Sequence, residues 1–176
     1  MQFKSFKPWL GLTLLVSIFI FTMLRCDHST ASKSLQPIKT NCHHVNIYGQ
    51  SNQERCYPLL INFGHRCCQK SQKDNCETGL TFGMAQCVKL NMSIFNSDDG
   101  FRQRNSDILN RDRGAGYWLW KPYIIWHELY VAREGDVIVY SDAGVNFVAD
   151  INILIRLIGQ QDIVTFHQTN HSVRVI

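Results

Sequence analysis

The 176-residue sequence is defined first by what it omits. Seven cysteines contain no Cys-x-x-Cys pair, which excludes a zinc knuckle and a thioredoxin-like redox site. There is no block of like charge: basic residues alternate with acidic neighbours, as in Arg104-Asn105-Ser106-Asp107 and Arg111-Asp112-Arg113, and the net charge is only +4. A nucleic-acid footprint needs a clustered basic face, so nucleic acid is not an expected partner. Internal repeats, coiled-coil heptads and low-complexity tracts are missing too, which leaves one modest globular domain beside any targeting segment.

Long apolar runs are equally scarce, with one exception. Residues 8–24 carry no charge, with Lys4 and Lys7 before them and Arg25 and Asp27 after. Such a stretch is near the short end for a membrane-spanning helix and slightly long for a signal-peptide core. The preceding lysines favour a cytosolic N-terminus. The expected order is a cytosolic tail (1–7), a signal-anchor helix (8–24), a stem (25–56) and a domain (57–176), as in a single-pass type II protein of the secretory pathway, with the Golgi as the expected membrane. The alternative is a cleaved signal peptide and a secreted protein, because Ser29-Thr30-Ala31 places small residues where a signal peptidase cuts.

In an oxidising lumen some cysteines pair, with a connectivity that spacing does not reveal, and the odd count leaves one over, for which Cys26 at the membrane edge is the choice. Two glycosylation sequons, Asn91-Met92-Ser93 and Asn170-His171-Ser172, suit a lumenal chain. Residues 27–55 are polar without a sustained apolar period and read as the stem; His43-His44 within them reads as a solvated pair.

The run 59–63 (Leu-Leu-Ile-Asn-Phe), ended by Gly64, reads as a first strand. Residues 65–82 read as a weakly apolar helix stopped by Gly83, and 86–90 as a second strand, the βαβ start of a doubly wound sheet. Asn62 and Gly64, at the end of the first strand, are candidate nucleotide contacts. Residues 97–100 read as a turn or helix cap, rather than as a metal pair from Asp98-Asp99, and 101–110 as a short helix. Residues 150–158 read as an amphipathic helix and 163–166 as a further strand.

Residues 114–144 form the centre of the chain. They hold three of its four tryptophans and then the buried-strand run 137–140, which ends in Ser141-Asp142-Ala143-Gly144. Open α/β sheets bind ligands at the carboxyl ends of their strands, and the small residues after Asp142 let an anion approach the backbone, so Asp142 is the foremost functional candidate. A helix from about Pro122 to Arg133 follows Gly114-Ala115-Gly116, an arrangement that offers backbone N–H groups to a phosphate.

The motifs Arg113-Gly-Ala-Gly-Tyr-Trp-Leu-Trp-Lys-Pro122 and Gly135-Asp-Val-Ile-Val-Tyr-Ser-Asp-Ala-Gly144 together resemble a family of glycosyltransferases of the GT-A, nucleotide-diphospho-sugar transferase fold. The resemblance spans roughly residue 57 to the end. It implies a Rossmann-like, mostly parallel sheet flanked by helices, and transfer of a sugar from a nucleotide-sugar donor to a hydroxyl of a glycan, protein or lipid acceptor. In that superfamily an Asp-x-Asp at a strand end holds a divalent cation, usually manganese, which grips the donor diphosphate. Asp142 matches the first Asp and Gly144 stands at the second, so a later residue or a metal-independent mechanism takes over that ligand's role. The resemblance makes Lys121 a diphosphate contact and Trp118 or Trp120 wall residues, against core packing for the tryptophans. The acceptor part of such enzymes lies beyond residue 176, so the chain reads as a donor-binding half. A catalytically inactive lumenal domain that binds nucleotide or glycan is the competing expectation. A phosphatase with a nucleophilic Asp142 is disfavoured, because no second Asp lies two residues on.

Overall fold

The computed structural model describes residues 21–25, 39–47, 50–158, 163–169 and 172–175. In chain order they form β1 (Phe21–Arg25), β2 (Asn41–Ile47), β3 (Gln50–Tyr57), β4 (Leu59–Phe63), α1 (Gln69–Thr81), β5 (Gln86–Leu90), α2 (Asp99–Arg104), α3 (Ser106–Leu109), the single turn α4 (Gly114–Tyr117), α5 (Trp120–Val131), β6 (Val137–Tyr140), α6 (Asn152–Ile158), β7 (Ile163–Thr169) and β8 (Ser172–Val175).

Six strands make one sheet in the order β5-β4-β6-β1-β7-β8. β4 pairs in parallel with β5 and β6, whereas β1 runs antiparallel to β6 and β7, and β8 antiparallel to β7. The sheet is therefore mixed, with three parallel strands, rather than mostly parallel. The cause at its far side is local: Thr169 pairs with Ser172, which leaves room only for a hairpin connection, and hairpins join antiparallel strands.

β4 and β6 are buried on both faces, as their apolar runs require, while β5 at the sheet edge is only partly covered. Leu59, Ile61, Phe63, Ile138 and Tyr140 pack with Trp120, Tyr123 and Ile124 of α5 and with Val45, Ile47 and Tyr57 of the hairpin. On the opposite face Leu60, Val137 and Val139 pack with Met84, Phe147 and three isoleucines, 151, 155 and 158, of the α6 segment. α1 lies on this second face, so close that a Cβ on Gly79 would sit 2.5 Å from Leu60 Cδ2. The β4-to-β5 crossover thus covers one face and the β5-to-β6 crossover the other. The two diverge between β4 and β6, and that divergence opens a crevice at the strands' carboxyl ends.

The stretch read as a stem differs from expectation. β2 and β3 form a separate two-stranded sheet, stapled by the Cys42–Cys56 disulfide, whose buried residues alternate as His43, Val45 and Ile47. A period of two with only three core-facing side chains on β2, and the polar Arg55 beside Tyr57 on β3, is too dilute to stand out among polar neighbours. His43 is accordingly buried and stacked on Tyr57 at 5.2 Å, not solvated, while His44 is exposed. Beneath the hairpin, Arg55 makes a two-point contact with Glu128 of α5 (Nε–Oε2 3.0 Å, Nη2–Oε1 3.2 Å), and Asn41 donates to Asp136 at 2.8 Å. A second disulfide, Cys76–Cys87, joins α1 to β5.

Phe21–Arg25, which overlaps the end of the apolar 8–24 segment, is a strand; the rest of that segment, the tail 1–7, Cys26 and Asn170 lie outside the described residues. No helix among the described residues is long and apolar enough to cross a membrane. The two disulfides accord with a secretory or lumenal compartment.

Candidate functional site

Ser141 and Asp142 leave β6 at its carboxyl end, and the Ser141 amide still donates to the Ile61 carbonyl of β4 at 3.1 Å. The register Ile61↔Tyr140 therefore continues one step and sets the Asp142 loop at the crevice between β4 and β6. Lys121, one residue into α5, reaches across so that its Nζ lies 3.0 Å from Asp142 Oδ1. The Tyr140 hydroxyl donates to the same oxygen. Both charged side chains are about one quarter exposed, so the pair opens to solvent.

The floor beneath is aromatic. Phe63 stacks on Trp120 with centroids 4.0 Å apart, and the Lys121 ammonium lies 5.6 Å from the Trp120 ring and 5.1 Å from that of Tyr140. Cation–π attraction of this kind holds an ammonium in place without neutralising it. Burial raises the Tyr140 pKa far above its ordinary value, and the neighbouring Asp142 charge adds to the effect, so the phenol stays protonated and serves as a donor.

The segment before α5 is unusual. Gly114, Ala115, Gly116, Tyr117 and Trp118 all have positive φ (60°, 50°, 90°, 49° and 60°), a left-handed turn of five residues. For L-residues that conformation costs about 1–2 kcal/mol each, and Ala115, Tyr117 and Trp118 all bear it. Gly116 is required on two counts, since a Cβ there would also lie 2.9 Å from Leu109 Cα. The turn is fastened by Trp120 Nε1 donating to the Gly114 carbonyl at 3.0 Å. The amides of residues 115–119 donate to carbonyls of Asp112, Arg111, Arg113, Gly114 and Gly116, and the Lys121 amide to that of Trp118. The amides of 115–119 and of Lys121 are thus engaged within the turn rather than presented to a phosphate. What the turn does is direct the chain so that Lys121 faces Asp142 and Trp118 stands half exposed, with the Arg113 guanidinium 5.9 Å from its ring centroid. Strain held this way is characteristic of functional sites.

The other sequence candidates fall in two groups. Gly144 is exposed, and a Cβ on it would meet nothing within 4 Å, so the chain itself sets no demand for glycine there. Lys121 and Asp142 thus meet at the rim, with Gly144 two residues further along the same loop. Asn62 and Gly64 do not. Asn62 is fully buried and donates to Asn75 Oδ1 at 2.5 Å, and Gly64 is packed under Gln72, whose Oε1 would lie 2.7 Å from an added Cβ. Their role is support: Asn75, beside Asn62, donates to Ser141 Oγ at 2.9 Å and to the Val145 carbonyl at 2.7 Å, which ties the rim loop to α1. Sequence reasoning missed Asn75 and Tyr140, whose only signals are polarity on a helix face and proximity to Asp142. Trp120 is core, as the packing alternative held.

A divalent cation needs several oxygen ligands converging on it. At this rim one carboxylate is present, its Oδ1 is engaged by an ammonium and a phenol, and Gly144 adds no side chain. Among the described residues one cluster of three candidate ligands occurs, Cys42, Glu54 and Cys56 on the hairpin, and its two sulfurs are joined to each other. The residues present do not fit a protein-held divalent ion. Compared with known protein families, curated proteins and solved structures, the chain matches none.

Proposed function

We propose that the rim formed by Lys121, Asp142 and Gly144 binds a nucleotide-sugar, and that the chain is the donor-binding part of a membrane-anchored glycosyltransferase of the secretory pathway, with the Golgi as its site. The observation that carries this is the Lys121–Asp142 pair at the divergence of β4 and β6, the place where doubly wound sheets take nucleotides. The two sequence motifs resembling GT-A enzymes supply the two members of that pair. Lys121 would meet the donor diphosphate as a fixed cation, the part that manganese plays in the resembled enzymes. A cation at that point stabilises charge as it builds on the departing nucleoside diphosphate while an acceptor hydroxyl attacks the sugar. Asp142, released from Lys121 by the incoming anion, would accept a donor hydroxyl, with Trp118 as a wall and Gly144 leaving room for the diphosphate.

Calorimetric titration of the chain, produced in an oxidising compartment, with uridine and guanosine diphosphates tests the reading. Saturable binding lost in Lys121→Ala and Asp142→Ala supports it, and repetition with manganese reports whether the cation contributes. No binding by a folded wild type sinks it. The ion-paired state of Asp142 also favours the second reading, a catalytically inactive lumenal binding domain. Binding without transfer or hydrolysis of the sugar nucleotide is its signature.

A further inference from the structure

A separate cleft of about 540 Å³ lies between β3 of the hairpin and β5, the edge strand of the main sheet. Gln86 of β5 ties the two strands together: its Oε1 accepts from the Cys56 amide of β3 at 2.8 Å and its Nε2 donates to the Glu54 carbonyl of β3 at 3.1 Å. The segment 91–97 borders the cleft. In volume the cleft falls within the usual range for small-ligand sites.

Its polar lining is lopsided. Asn96 spends its side-chain oxygen on Arg102 Nη1 (3.1 Å), so it is left with its NH₂ to offer. Arg55 commits Nε and Nη2 to Glu128 and keeps Nη1, while Lys89 adds an ammonium at the edge. Among the described residues no carboxylate lines the cleft. Arg55, Lys89 and Asn96 therefore present donors, two of them cationic, and such a surface selects an acceptor-rich anion. Two further features narrow the class. The Leu90 carbonyl faces β4 and accepts from the Gly64 amide, so the main-chain N–H and C=O of Lys89 face outward, one donor and one acceptor suited to a hydroxyl. Val88 and Ile94 supply an apolar wall for a ring.

We propose that this cleft binds an acidic saccharide of one or two rings, its carboxylate or sulfate held by Arg55 and Asn96. The proposal is independent of the rim at Asp142. The test is titration of the full chain with methyl glucuronide, methyl glucoside and inorganic sulfate, in wild type, Asn96→Asp and Asp142→Ala. Asn96→Asp keeps the oxygen that Arg102 uses but places a negative charge at the anion's position. The expected result is saturable glucuronide binding, at least tenfold weaker in Asn96→Asp at unchanged Tm, unaltered in Asp142→Ala, and weaker for glucoside and for sulfate. Equal binding of glucoside, equal binding of sulfate, indifference to Asn96→Asp, or no glucuronide binding by a chain of native Tm would each overturn it.

Discussion

Asn75 on α1 donates to both Ser141 Oγ and the Val145 carbonyl, at 2.9 and 2.7 Å, and so clamps the two ends of the loop that carries Asp142. Asn75 is itself fully buried and is held by Asn62. Replacement by Leu, of similar size, leaves those partners unsatisfied in the interior. The expected loss is about 1–3 kcal/mol in stability, with weaker nucleotide binding at the rim. Urea unfolding together with the diphosphate titration checks both; a Leu variant as stable as wild type would show that the clamp is idle.

Two glycines make opposite predictions. Gly116→Ala forces a Cβ against the Leu109 backbone at a φ of +90°, and should cost at least 1–2 kcal/mol. Gly144→Ala meets nothing within 4 Å, and should leave stability within about 0.5 kcal/mol of wild type. If a diphosphate approaches the backbone at Gly144, the Ala variant nonetheless binds it less well. A thermal melt and a titration of each variant separate the structural glycine from the functional one.

Local elements were legible in the sequence where one residue type or one run decides them. The strands at 59–63 and 137–140 follow from short apolar runs, the strand at 86–90 and the weakly apolar helix after Gly64 from the stops at Gly64 and Gly83 that bound them, and Asp98 caps α2 by accepting from the Phe101 amide at 2.8 Å. Elements that depend on long-range partners were not legible. The hairpin's core-facing residues include His43 and Arg55, polar side chains that are buried because Tyr57, Asp136 and Glu128 meet them from elsewhere in the chain. The left-handed turn was hidden for a related reason, since Ala115, Tyr117 and Trp118 have no intrinsic preference for positive φ and adopt it because the surrounding bonds over-determine it. On α5 the apolar Ile125, Leu129 and Ala132 are only half-buried; Trp120, Tyr123, Ile124 and Glu128 point into the core, and Trp126 and Tyr130 are exposed.

The Arg55–Glu128 pair gives the clearest stability prediction. Glu128 is fully buried, and desolvation raises its pKa despite the bonds from Arg55. Replacing Glu128 by Gln strands a buried guanidinium, and Arg55→Met strands a buried carboxylate. Each single change should cost roughly 3–5 kcal/mol, whereas the double change Arg55→Met with Glu128→Leu should recover most of it. A double-mutant cycle by denaturant unfolding measures the coupling, and additive losses would mean that the two groups do not depend on each other.

Alkaline pH tests the buried phenols. Tyr57 and Tyr140 are buried, and desolvation, reinforced by nearby carboxylates, raises both above the ordinary value of 10.0. Tyr123 shifts in the same direction, through burial and Asp98. The native state therefore keeps protons that the unfolded chain releases near pH 10. A raised folded-state pKa contributes stability that is whole below the unfolded value and is lost as pH climbs past it. Stability should thus fall progressively above about pH 10, more steeply in wild type than in Tyr140→Phe, which has no phenol to ionise at that position. Spectrophotometric titration should show these three phenols ionising only as the chain unfolds, in step with loss of near-ultraviolet dichroism. Ionisation of all six tyrosines ahead of unfolding would mean that Tyr140 is open to solvent, and would remove the donor that the Asp142 carboxylate relies on.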